Sequence, residues 1–266
     1  MSLDDLFEGV TKVVDAYLRS LNDSSITQRG LVSPVPLVIH DVDYLRFTDF
    51  VGTAHFSRRS ISDALTAVRT TEPIGICLEL CPFRYEYLKT VQDNPLERGL
   101  SSLKSEFVAT IELLGDKDVD VWLIDMNQEE VAARILALAS VEEARAWNRI
   151  QGHLSAMEEV GLRLWEEGLK DEAITVFDGD VALMRKAFPT LWKVLILERN
   201  VFMACRLIYL IVQYLERGFT EFKILVFVGA AHVDGIKQLL TQPTKAFHAL
   251  EHLGIYFTKP QAVKSG

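Results

Sequence analysis

The sequence predicts an α/β fold: a mixed central β-sheet with flanking helices and a helical insertion. Three observations predict it. Short apolar runs alternate with helical patterns along most of the chain, the order expected of a sheet with crossover helices. Residues 141–188 break that alternation, being rich in Glu, Ala, Leu and Arg without strand signals. Finally, F-V-G-T-A-H at 50–55 recurs as F-V-G-A-A-H at 227–232, each after an apolar strand pattern and before a helical one. Two such strand–turn–helix halves are expected to face one site.

Taken in order, Leu3–Leu21 reads as a helix, with Leu3, Leu6, Val10, Val13, Val14, Tyr17 and Leu18 near helical spacing. Residues 22–36 read as a polar loop. Leu37–His40 and Tyr44–Val51 read as strands joined by a turn at Asp41-Val42-Asp43. Ser60–Arg69 reads as a short helix. Ile74–Cys81 reads as a buried strand, and Pro82 suits the first turn of a helix after it. Leu100–Leu114 is expected to be helical, Val119–Asp125 a strand and Gln128–Ala139 a helix. The 141–188 insertion reads as two long helices broken near Gly168. Glu198–Arg217 reads as an apolar helix, Phe222–Val228 as a strand, Val233–Leu240 as a helix and Ile255–Thr258 as the last strand. The whole chain, 1–266, reads as one domain.

Composition narrows the function. The chain carries 28 Lys+Arg against 37 Asp+Glu, a formal charge of −9, which argues against nucleic acid as a main partner and against an anionic membrane surface. An apolar fraction of 49% supports a packed core, so a disordered chain is excluded. Three cysteines are too few for a disulfide scaffold. Cys77 and Cys81 lie in one predicted strand, and four strand steps span about 13 Å against a limit of roughly 7 Å for a bridge. The N-terminal Met-Ser-Leu-Asp-Asp lacks a signal-peptide pattern. The most apolar run, Val194–Tyr214, contains Glu198, Arg199, Asn200 and Arg206 and therefore reads as a buried helix, not a bilayer span. A cytoplasmic protein without a membrane span is expected.

The chemistry concentrates in three places. In each G-x-x-H turn the glycine lets the chain leave the strand without a Cβ in the way, and the histidine follows at the strand's carboxyl end, where open α/β sheets bind ligands. His55 and His232 could together hold a divalent metal, or one could act as a general base; alternatively both are satisfied polar residues closing a strand. In E-L-C-P-F-R at 79–84, Glu79 shares a predicted strand face with Cys77 and Cys81. A carboxylate there needs a partner or a metal, and Arg84 is expected to be the partner or an electrostatic clamp. Glu198-Arg199-Asn200 separates two apolar runs, so it is either a satisfied buried network or part of a site. Asp125, at the end of D-V-W-L-I-D, reads as a cap for the next helix. His248-Ala-Leu-Glu-His252 matches H-x-x-E-H, but no acidic residue follows it and Gly254 stops the helix, so it reads as a decoy. Trp122, Trp147, Trp165 and Trp192 read as packing residues.

Four motifs in the same order, G-T-A-H-F-S-R-R-S at 52–60, E-L-C-P-F-R at 79–84, E-R-N-V-F-M-A at 198–204 and G-A-A-H-V-D-G-I at 229–236, resemble the TraB/PrgY family. That family includes the pheromone-shutdown proteins. It is similar to the TIKI metalloproteases and more loosely to the ChaN-like haem-binding and erythromycin-esterase-like proteins. The resemblance implies a metal-dependent hydrolase, a peptidase using manganese, cobalt or zinc. It implies His55, His232 and Glu79 as metal ligands, and Glu198, Arg84, Arg199 and Asn200 as catalytic residues. Ser57 and Ser60 match the small hydroxyl positions of the first motif. Many bacterial and archaeal members append membrane helices, which this sequence does not carry by Gly266, so a soluble or a shortened member is expected. The family's Asp-Arg is here Asp125-Met126, which bears on substrate class.

The expected activity is therefore hydrolysis of a peptide or small-molecule substrate, with Glu198 as general base and Arg84 or Arg199 stabilising an oxyanion. The alternative is a binding protein that sequesters a peptide, metal or haem in the same crevice without turnover. A lesser alternative is a scaffold using 141–188 as a partner surface. A homodimer is expected on base rates.

Overall fold

The computed structural model describes residues 38–39, 41–55, 57–93 and 105–264, without the side chains of 91–93 and 148–158. The expected helix at 3–21, the loop at 22–36, Leu37, His40, Phe56 and residues 100–104 of the expected 100–114 helix lie outside the described residues.

The mixed α/β sheet is present. Its described strands are β1 (Thr48–Thr53), β2 (Gly75–Leu78), β3 (Asp120–Leu123), β4 (Ile224–Gly229) and β5 (Gln261–Lys264), in the order β1-β4-β2-β3-β5. β1, β4, β2 and β3 run parallel, and β5 closes the edge antiparallel to β3. Strand chemistry follows position. The central strands β4 and β2 are buried along their whole length, as continuous apolar runs covered on both faces must be, whereas β5 at the edge is open.

Helices cover both faces. α1 (Arg58–Thr71) follows β1, α2 (Pro82–Asp93) follows β2, and α3 (Glu106–Leu114) and α4 (Gln128–Leu138) flank β3. The insertion is a hairpin of α5 (Val141–Glu166) and α6 (Lys170–Ala187), turned at Gly168, whose φ of 85° suits glycine. A short α7 (Pro189–Trp192) runs through a π-helical turn (Lys193–Glu198) into α8 (Arg199–Glu216). After β4 come α9 (Ala230–Leu240) and α10 (Pro243–His252).

Side-chain alternation divides the core between the two faces. Ile76, Leu78, Leu225 and Phe227 pack with Ala64 and Val68 of α1 and with Tyr85 and Leu88 of α2. Cys77, Val226 and Val228 pack with α8 and with Ile236 and Leu240 of α9. The helices after β1 and β2 therefore leave to one face, and the helix after β4, which lies between them, leaves to the other. That reversal opens a crevice at the carboxyl ends of β1, β4 and β2, a topological switch point.

Several boundaries differ from the sequence expectation. Tyr44–Phe47 is a 3-10 turn, because the Asp43 carboxylate caps the Leu45 N–H and the Tyr44 hydroxyl ties back to Ile39; β1 starts only at Thr48 and pairs with β4, so no hairpin forms with 38–39. β2 ends at Leu78, which leaves Glu79 just beyond the strand. Ser105 caps the Phe107 N–H, so the helix expected over 100–114 begins at Glu106. Residues 255–258 do not pair with the sheet; β5 forms at 261–264. Among the described residues no helix is long and apolar enough to cross a membrane, and α8 is a buried core helix. Cys77, Cys81 and Cys205 are free and buried.

Candidate functional site

The three segments singled out by the sequence meet in the crevice. Glu79 sits at its centre, 2% exposed. One carboxylate oxygen, Oε2, accepts the Gly229 N–H at 2.6 Å, where β4 hands over to α9. The other, Oε1, accepts from Arg199 Nη2 and faces His232 Nε2 at 3.5 Å and His55 Nε2 at 4.0 Å. Residues 55, 79 and 232, far apart in sequence, thus converge on one oxygen atom.

Each imidazole has its far nitrogen occupied. His55 Nδ1 lies 2.7 Å from Glu106 Oε1, and because a carboxylate only accepts, the proton is on Nδ1. His232 Nδ1 lies 2.6 Å from Asn200 Oδ1, which assigns the same tautomer. Both rings therefore turn their Nε2 lone pairs toward Glu79.

The two G-x-x-H turns reach this arrangement differently. After Gly229 the chain enters α9 directly, and His232 lies in its first turn. Gly229 has a negative φ of −54°, so its backbone does not demand glycine; space does. A Cβ there would stand 3.3 Å from His55 Nε2 and 3.4 Å from Glu79 Oε2. The first turn is longer, and α1 begins only at Arg58. The hydroxyl of Ser60 accepts the Ala54 N–H at 3.0 Å and the Trp165 Nε1–H at 3.0 Å, and it donates to Ala54 O at 2.9 Å. Ser57 caps the helix through the Ser60 N–H at 2.9 Å. Glu166 accepts from the Arg58 and Arg59 N–H groups at 2.6 and 3.3 Å. Ser57 and Ser60 are thus braces of the turn that carries His55, and the end of α5 locks onto them.

The E-R-N segment resolves into three partners. The π turn ending at Glu198 inserts an extra residue into the helix, and consecutive side chains leave in different directions. Arg199 reaches the crevice, and Asn200 reaches His232. Glu198 turns instead to α4, where Arg134 binds it through two hydrogen bonds of 2.5 and 2.8 Å and Lys193 stands 3.9 Å away. It is fully buried and is not brought to the central oxygen.

Two expectations about partners are corrected. Glu79 pairs with Arg199 rather than Arg84, because Glu79 lies beyond the strand end and faces the opening of α8. Arg84 donates through Nη1 to the Glu79 backbone oxygen at 3.3 Å and to Asp125 Oδ2 at 3.2 Å. Asp125 is not a helix cap: the cap position of α4 is Asn127, and Asp125 accepts from Arg199 Nε at 2.9 Å and Nη2 at 2.8 Å. Its backbone is held by buried Arg206, whose Nη1 donates to Asp125 O at 2.8 Å while Nε and Nη2 grip Thr258. Burial pulls the Arg206 guanidinium down to about 10. Met126 is buried in the apolar core.

Sequence reasoning missed Glu106 and Asp125 as site residues. For Glu106 no signal existed, since it is an ordinary acidic residue in the first turn of a helix. For Asp125 the signal was its place at a strand's carboxyl end. His248 and His252 are exposed on α10 in a surface depression with Lys245 and Glu251.

The electrostatics divide the imidazoles. Burial works against a charged His55, but the hydrogen bond to Glu106 and the fields of Glu79 and Glu106 outweigh it and raise its pKa. For His232 burial wins, helped by neighbouring Arg199, and its pKa falls. Burial would raise Glu79, yet His232, Arg199, His55 and the Gly229 N–H hold it well below the usual carboxylate range. Arg199 stays cationic because Asp125 and Glu79 outweigh its burial.

A cavity of about 190 Å³ opens beside His55, lined among the described residues by Arg84, Tyr87, Leu88, Ser105, Glu106, Phe107 and Gln128. By donor type, two imidazole Nε2 atoms and one carboxylate oxygen are what a divalent ion takes, with an acceptor behind each Nδ1, but among the described residues no three such side chains are gathered closely enough to hold one. Arg199 competes for the same atoms, since its Nη1 stands 3.3 Å from His232 Nε2.

No family model matches the chain. It is similar to an uncharacterized protein of the archaeon Methanocaldococcus jannaschii, 25% identical in an alignment 218 positions long that covers 71% of this chain. The chain spans about half, 52%, of that relative's length.

Proposed function

We propose that this chain is a metal-dependent hydrolase, a peptidase of the TraB/PrgY type, using a divalent ion held by His55, His232 and Glu79. The observation that carries the reading is the convergence of two Nε2 atoms on one carboxylate oxygen, each ring fixed from behind by an acceptor. The four ordered sequence motifs support it further. When bound, such an ion polarises a carbonyl and acidifies its water. The chain's own residues do the rest. Glu106 and Asn200 orient the imidazoles. Arg199 holds Asp125 through Nε and Nη2 and Glu79 through Oε1; an ion bound by Glu79 and His232 would have to take the place of its contacts with Glu79 Oε1 and His232 Nε2. Arg84 meets negative charge in the cavity beside His55. Glu198, held by Arg134, anchors the helix start from which Arg199 and Asn200 project, and this positioning role replaces that of general base.

A second reading has its own observation. Arg199 already fills the space between His232 Nε2 and Glu79 Oε1. In a metal-free hydrolase that guanidinium is the fixed cation, and His55, backed by Glu106, is the general base.

One experiment separates these readings. Protein purified without chelators is analysed for metal and assayed for peptide cleavage with and without manganese, cobalt or zinc, beside a His55→Ala/His232→Ala variant. The first reading expects cleavage that needs metal and vanishes in the variant. Cleavage indifferent to chelation supports the second. Tight peptide, metal or haem binding without turnover under every condition rejects both in favour of sequestration.

A further inference from the structure

We infer that the cavity beside His55 recognises a free carboxylate on one short substrate residue, with Arg84 as the residue that reads it. The inference rests on the hydrolase reading for its biological meaning, but not for its test.

The two arginines of the site differ in how many donors they have left. Arg199 is saturated: Nε and Nη2 serve Asp125, Nη2 also serves Glu79, and Nη1 faces Leu195 O and His232 Nε2 at 3.3 Å each. Arg84 uses Nη1 alone, on Glu79 O and Asp125 Oδ2. Its Nε and Nη2, the side-on edge of the guanidinium, make no hydrogen bond among the described residues. That edge is the planar fork that matches a carboxylate with two parallel bonds. Arg84 is fixed by its other edge, one third exposed, and lines the cavity together with His55.

The cavity limits what can bring the carboxylate. Its volume of about 190 Å³ is below the ~300–1,000 Å³ of sites that enclose drug-sized ligands. It takes a single short residue, not a length of chain. Phe107, Leu88 and the exposed Tyr87 give it an apolar wall for a small side chain, and Gln128 adds a polar group at its border. The one carboxylate among the described residues of the wall, Glu106, is engaged by His55 Nδ1 at 2.7 Å and so does not compete for Arg84. A substrate docked this way presents the acyl group carried on the nitrogen of its terminal residue toward His55, the geometry of an enzyme that acts at a carboxyl end or on a small N-acyl amino acid.

The test measures binding, so it is independent of turnover. N-acetylalanine and N-acetylalanine amide are titrated by calorimetry into the chelator-treated 266-residue chain, with inorganic phosphate as a third probe. The acid is expected to bind at least tenfold more tightly than the amide and than phosphate. Arg84→Gln should abolish that preference, and Arg84→Lys should restore it only in part, because lysine lacks the fork. Circular dichroism checks that both variants are folded. Equal binding of acid and amide, no binding of the acid at millimolar concentration, tighter phosphate binding, or a preference that survives Arg84→Gln would each overturn the assignment. Loss of cleavage with the binding preference intact would count against the hydrolase reading alone.

Discussion

The two G-x-x-H turns share a six-residue pattern and almost nothing else. His55 sits on an irregular turn, about one third exposed, with an anionic partner, Glu106, behind it. His232 sits in the first turn of a helix, nearly buried, with a neutral partner, Asn200. The first turn is braced from outside by Trp165 and Glu166 of the insertion; the second is positioned from inside by β4 and α8. Similar sequence thus yields opposite settings: the surroundings raise the pKa of His55 and lower that of His232. A site that must keep one imidazole near water and another dry gains from this asymmetry. It also makes the helical insertion part of the site's support rather than a separate surface.

The largest effect should come from removing what joins the two turns. Glu79→Ala leaves Arg199 buried with Asp125 alone, and we expect a loss of about 3 kcal/mol in denaturant unfolding, near the lower end for breaking a buried pair. A loss below 1 kcal/mol would mean that the turns are not coupled through this carboxylate.

A matched pair of glycine variants tests whether the shared motif does the same work twice. Gly229→Ala brings a methyl group within 3.3 Å of His55 Nε2 and 3.4 Å of Glu79 Oε2; on the hydrolase reading it should reduce cleavage about tenfold, since reacting groups shifted by a few tenths of an ångström lose less than the ~100-fold of a full ångström. In Gly52→Ala the new methyl meets Val233 Cγ2 at 3.2 Å, a side chain that can yield, so activity should stay within a few-fold. Equal losses would make the two glycines equivalent and undo the contrast.

The bracing of the first turn is smaller and local. Ser60→Ala strands the Ala54 and Trp165 N–H groups and should cost about 1–3 kcal/mol. Imidazole NMR signals of His55 should broaden or shift while those of His232 stay. On the other side, Gly235→Ala would push a Cβ into Asn200 Nδ2, and only His232 should respond.

The smallest effect is in pH. In metal-free protein followed by NMR, His55 should titrate above and His232 below the ordinary histidine value of about 6.5. The signs for stability are opposite. The raised His55 stabilises the fold fully below about pH 6.5 and loses that contribution as pH rises through its folded value. The lowered Glu106 contributes above about pH 4.3 and loses it as pH falls. The His55–Glu106 pair is therefore strongest between those two values. The lowered His232 works the other way and weakens the fold as pH drops below about 6.5. Both rings titrating on the same side would break the comparison.

The sequence by itself determined the alternation of strands and helices, the two-helix insertion turned at Gly168, and the candidate residues His55, Glu79, Arg199, Asn200 and His232, which the fold brings together. These are written in period, in glycine and in polar residues placed between apolar runs, all of which are local. Tertiary structure decided the partners. That Glu79 takes Arg199 and not the nearby Arg84, that Glu198 leaves for Arg134, and that Glu106 and Asp125 belong to the site depend on which strand ends lie side by side. β4 inserts between β1 and β2, and a π turn sends three adjacent side chains three ways. Sheet order and helix phase are set by long-range packing. Because a buried charge takes whichever opposite charge that packing brings within reach, sequence neighbours were poor guides to its partner.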